Sequence, residues 1–91
     1  MNNTMKNRHE YTVRSIEDLG ELLTRRRKQL HLGLEAAAQR LGVSTRLLFE
    51  LEHGRRGVSI ATVLQILQLY GIDTVLRARQ PGVNLGEEGN R

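Results

Sequence analysis

Residues 34–57 read LEAAAQRLGVSTRLLFELEHGRRG. The first eight are good helix formers with small side chains at Ala36, Ala37 and Ala38, and Gly42 suits the left-handed turn that closes a helix. Ser44 then offers a hydroxyl oxygen to the free amides of a second short helix, which runs to about His53 and stops at Gly54. Leu48 and Leu51 fall where that helix would meet a core. Arg55 and Arg56 follow in the loop.

Upstream, Ser15 with Asp18 three residues later has the form of a capping box, and Glu17 and Asp18 suit the positive end of a helix. Ile16, Leu19, Leu22, Leu23 and Leu30 continue it near helical spacing. The run Arg25, Arg26, Arg27 and Lys28 lies toward its C-terminal end, where cations complement the helix dipole as well as any outside anion. Residues 1–14 show no sustained period and read as a flexible arm. Downstream, Ser59 caps IATVLQILQLY (60–70), which Gly71 ends. Ile60, Val63, Leu64 and Leu67 form one apolar stripe, and Ile66, Leu69 and Tyr70 widen it sideways, enough for a second partner surface.

In IDTVLRARQ (72–80) the period changes from helical to alternating, with β-branched residues at the start. That segment predicts a strand. One strand in a helical chain has no internal partner for its amides and carbonyls, so its economical partner is the same strand of a second copy. The polar, glycine-rich tail 81–91 reads as flexible.

Composition bounds the rest. A chain of 91 residues with 38% apolar residues supports one small domain. With no cysteine, neither a disulfide framework nor a thiolate metal site is available. No apolar run approaches the roughly 20 residues a membrane span needs, and the polar N-terminus does not resemble a signal peptide, so a cytoplasmic protein is expected. Fourteen Lys and Arg face ten Asp and Glu; from Arg14 to Gly57 there are nine basic and six acidic residues, and three of each from Val58 onward. The excess favours a polyanion on the first half, although many proteins of this charge never touch nucleic acid.

Two short helices joined by Leu-Gly-Val-Ser, the second followed by a basic loop, are the layout of a helix-turn-helix. An ordinary helical hairpin uses the same turn chemistry. The span from Ser15 to Tyr70 further resembles the lambda-repressor-like (Xre, or Cro/C1 type) family. The resemblance is carried by Arg27-Lys28 late in the first helix, Ala38 in the second, Leu41 to Ser44 at the turn, Leu51-Glu52 late in the third and Gly54-Arg55-Arg56 after it. A fourth helix running into IDTVLRAR is similar to HipB-type antitoxins. The resemblance implies an all-α fold: a four- to five-helix lambda-repressor-like helix-turn-helix domain over 15–71, with the strand 72–80 pairing across a homodimer. It implies a repressor of its own operon that binds an inverted-repeat operator in double-stranded DNA and neutralises a HipA-like kinase toxin.

By position in that family, Ser44, Thr45 and Arg46 would reach base edges, with Arg46 suited to guanine O6 and N7. Arg46 could equally be an exposed arginine pairing with Glu50 four residues on. Arg55 and Arg56 would contact phosphate, and Arg27 and Lys28 could add to them. Ile66, Leu69, Tyr70, Val75, Leu76 and Arg77 would form the dimer interface. Three departures stand out: Gly33 and Leu34 where the family commonly has Thr-Gln, Phe49 where a small polar residue is usual, and Glu50 where a basic one is. Phe49 could touch a thymine methyl, and Glu50 could accept from cytosine N4 or repel phosphate. They favour the rival reading of an interaction module that binds a toxin or regulator with weak or no specific DNA binding.

The sequence offers little for catalysis. His9, His31 and His53 lie on separate elements without metal-ligand spacing, and Glu52 reads as an acceptor for a neighbouring donor rather than a general base. No cofactor, metal, membrane or small-molecule substrate is expected, nor enzymatic activity.

Overall fold

Four helices follow one another in the computed structural model, which describes residues 10–80: α1 Ile16–Gln29, α2 Leu34–Leu41, α3 Thr45–Glu52 and α4 Ile60–Leu69. Residues 1–9 of the expected arm, His9 among them, and the expected tail 81–91 lie outside the described residues. Three helices begin on a serine that satisfies an otherwise orphaned amide. Ser15 Oγ accepts from Asp18 N at 3.0 Å, Ser44 Oγ from Leu47 N at 2.9 Å and Ser59 Oγ from Thr62 N at 3.1 Å. Asp18 answers by accepting from Arg14 N at 3.0 Å, one residue outside the capping residue itself. Gly33 starts α2 with no side-chain cap.

All four helices end in the same wrapped turn, in which an amide just past the helix reaches back five residues. Leu32 N donates to Arg27 O at 3.1 Å, Val43 N to Ala38 O at 3.1 Å, Arg55 N to Glu50 O at 2.8 Å and Ile72 N to Leu67 O at 2.9 Å. The turn needs a residue at positive φ. Gly42, Gly54 and Gly71 supply it at 72°, 67° and 72°, and His31 supplies it at 58° despite its Cβ.

The core draws Leu22 and Leu23 from α1, Ala37 and Ala38 from α2, Leu48 and Leu51 from α3, and Ile66, Leu67 and Tyr70 from α4 and its end. Helix α3 packs on both α1 and α2, and α4 packs on α2. Helices α1 and α3 approach closely at Gly20, in the first half of α1. A Cβ there would lie 2.7 Å from the Leu51 carbonyl oxygen and closer still to that of Glu52, so α1 and α3 meet backbone to backbone. Arg26 Nε donates to Tyr70 O at 2.8 Å and ties α1 to the end of α4.

One expectation for the last third of the chain is corrected. Ile66 and Tyr70, expected at a dimer interface, are both fully buried in the domain's own core. Because α4 carries no charged residue, its apolar pattern did not mark which arc faces inward. Residues 72–80, expected as a strand paired across a homodimer, form no strand in the single chain, and 73–80 are exposed. A ladder needs a second strand, and every other regular element of the described chain is a helix. Among the described residues, no helix is long and apolar enough to cross a membrane.

Candidate nucleic-acid interface

Helix α3 has an inward and an outward side. Leu48, Leu51 and Glu52 are buried, whereas Arg46 and Phe49 are exposed and Glu50 is half-buried. The Ser44 oxygen accepts from Leu47 N, so what this exposed hydroxyl has left for a ligand is chiefly its own hydrogen. Thr45, the first helical residue, is half-buried.

The outward side chains form one connected patch around Phe49 and Glu50. Arg46 Nε donates to Glu50 Oε2 at 3.2 Å, and Arg56 Nη1 approaches Glu50 Oε1 at 3.5 Å. The bond from Arg46 holds the Glu50 carboxyl below the usual glutamate range, against a smaller desolvation effect in the other direction. Phe49 stacks on His53 with ring centroids 4.0 Å apart, and the Arg55 guanidinium carbon stands 5.7 Å from its centroid, within cation–π range. His53 Nδ1 lies 2.8 Å from Phe49 O. A carbonyl only accepts, so Nδ1 carries the proton and Nε2 is the nitrogen without one in the neutral ring. The two departures from the family pattern thus contact every cation of the patch, Glu50 holding Arg46 and Arg56 while Phe49 carries Arg55.

Arg27 does not belong to this patch, which corrects its expected role on phosphate. Its guanidinium is buried between α1 and α3, where Nε and Nη2 donate to the two Glu52 oxygens at 2.7 and 2.9 Å. Nη1 donates to Leu32 O at 2.9 Å. The bond to Glu52 raises the Arg27 pKa, and burial opposes it. Glu52 is the structural acceptor expected from the sequence, but its donor lies 25 residues upstream and could not be paired by spacing. Lys28 is exposed in the last turn of α1, and no ion pair joins it to the patch.

Of the expected dimer residues, Leu69, Val75, Leu76 and Arg77 are exposed. Sequence reasoning placed Ile60 and Leu64 in the apolar stripe of α4, yet both point outward, Ile60 with 71% of its surface exposed. With Ala61, Gln65, Gln68 and Leu69 they make a continuous exposed face without one charge. Gly20 was missed, although glycine inside a helical pattern is itself a sign of close backbone approach. Among the described residues, no group of three acidic or histidine side chains could hold a metal ion.

A family model described as a helix-turn-helix domain matches residues 18–80, more than two-thirds of the chain. A comparison with curated proteins finds no match.

Proposed function

Because the chain belongs to the helix-turn-helix domain family, whose fold points to DNA binding and transcription regulation, we propose that it is a dimeric, sequence-specific repressor. In this reading α3 enters the major groove, with Arg46 reading a base edge and Ser44 and Thr45 serving base or phosphate. Arg55 and Lys28 contact the phosphate backbone, and Arg56 adds a phosphate contact that its pairing with Glu50 weakens. The observation that carries the reading is the outward patch of α3: a capped helix start beside an arginine that is 85% exposed, followed by two exposed loop arginines.

A second copy docks on the uncharged face of α4 around Ile60, Leu64 and Leu69, with Val75, Leu76 and Arg77 alongside. Charge depletion of this kind is typical of interface centres. Pairing residues 72–80 across the dimer would also give that segment the backbone partners it lacks alone. The antitoxin role, with a HipA-like kinase toxin as partner, rests on the likeness of α4 and the segment after it to HipB-type antitoxins. Mobility-shift titration against the promoter of its own operon over a salt series tests the proposal. Selective binding that weakens steeply with salt is expected, because phosphate contacts release counterions. Weak binding without sequence preference would favour the pure interaction module, which the pairing of Arg46 and Arg56 with Glu50 and the uncharged α4 face support.

A further inference from the structure

We propose that Glu50 determines specificity: its carboxylate orients the Arg46 guanidinium for base contact and weakens the sequence-independent phosphate contact of Arg56. The inference rests on the DNA-binding reading above and deepens it.

Arg46 meets Glu50 through Nε alone, and its side chain is 85% exposed. Its Nη1 and Nη2 groups make no bond to Glu50, and the end-on fork they form suits guanine O6 and N7. Base contact and the Glu50 contact are compatible in one geometry. A long side chain held this way before binding loses less freedom on binding. Arg56, by contrast, faces the second Glu50 oxygen at 3.5 Å, a long contact that phosphate can break only by leaving the carboxylate exposed to the same anionic backbone.

The one anion acts in opposite directions on two kinds of duplex. It helps a site that presents guanine to Arg46, and it opposes every duplex through phosphate repulsion. Discrimination is the difference between the two. The basic residue usual at this position would raise both affinities and separate them less.

The test compares wild type, E50Q and E50A. The preferred duplex is selected from a randomised pool, and the base pair read by Arg46 is the one at which R46A loses preference. Affinities are then measured for the preferred duplex, for its variant at that base pair and for an unrelated duplex, each over a salt series. In E50A, discrimination at that base pair falls about 3- to 10-fold. Binding to the unrelated duplex tightens, and the slope of log K against log salt steepens by up to about 0.9 as the phosphate contact of Arg56 becomes complete. E50Q shares the salt change but keeps the discrimination, since its amide oxygen still accepts from Arg46 Nε. In the free protein the Arg46 Nε–H resonance shifts in E50A and stays near its wild-type position in E50Q.

Unchanged discrimination in E50A overturns the proposal, as does an equal loss of affinity for all duplexes, which is what a merely structural role would produce. E50Q behaving like E50A in discrimination overturns the positioning half. A wild-type protein that selects no duplex sinks the DNA-reading assignment itself, which no Glu50 variant result by itself would do.

Discussion

Two of the three arginine–glutamate pairs among the described residues share a chemistry and differ in everything else. Between α1 and α3, Arg27 and Glu52 meet through two bonds, with side chains 11% and 2% exposed; on the outer side of α3, Arg46 and Glu50 meet through one bond, with side chains 85% and 24% exposed. In low dielectric the first pair is bound to its place, because either partner left alone is an unsolvated charge. In water the second contributes little to stability. Burial, not residue type, separates the arginine that builds the domain from the arginine that keeps donors available for a ligand.

The strongest attack on this contrast is Arg27→Met, which strands Glu52 in the core. A loss of about 3–5 kcal/mol is expected, a large share of the roughly 5–15 kcal/mol typical of a small domain. Combining it with Glu52→Leu should return most of that stability in chemical denaturation. A single variant that loses no more than a surface pair would erase the distinction.

Alkali probes the same region. Tyr70 is fully buried, its hydroxyl has no hydrogen-bond partner among the described residues, and burial, followed by the nearby Glu52 charge, pushes its pKa from 10.0 up to about 12. The folded state therefore holds this proton more tightly than the unfolded chain. The stability linked to it is complete below about pH 10 and is lost as pH rises to about 12, by roughly 2–3 kcal/mol at about 1.36 kcal/mol per unit. Tyr70→Phe should flatten that part of the pH–stability curve.

Gly20→Ala tests the backbone contact that keeps the buried pair closed. Carbonyl oxygens cannot rotate out of the way, so a loss of about 1–3 kcal/mol is expected in the denaturation midpoint, beyond any gain in helix propensity. The smallest effect on stability belongs to Arg46→Ala, at or below about 0.5 kcal/mol. The same variant should weaken operator binding by about 1–3 kcal/mol and relax preference at one base pair, whereas Arg56→Ala should weaken all duplexes alike. A binding loss at Arg46 matched by an equal loss of stability would mean that the exposed pair is structural after all.

The helices were legible because their signals are local. Ser15, Ser44 and Ser59 announce starts, and Gly42, Gly54 and Gly71 announce stops, each through bonds spanning at most five residues. The Arg46–Glu50 pair was legible for the same reason, as an i,i+4 relation. What failed depended on the arrangement of helices. Arg27 stands in a run of four basic residues on α1, and nothing in that run shows which one points at α3. The stripe on α4 was too wide and too free of charge to reveal that Ile66 and Tyr70 face inward while Ile60 faces out. Arg56 reaches Glu50 only because the turn at Gly54 folds the loop back.

The close contact at Gly20 bears on how this protein can change. Helix α3 is fastened through its backbone, its leucines and Glu52, and none of those groups lies on the outward arc that carries Arg46, Phe49 and Glu50. Substitutions on that arc leave the fastening untouched, so the set of sequences the helix could read can drift, or be redesigned, with little penalty to folding. On the DNA-binding proposal, an eight-residue helix divided in this way is a replaceable reading head on a fixed mount.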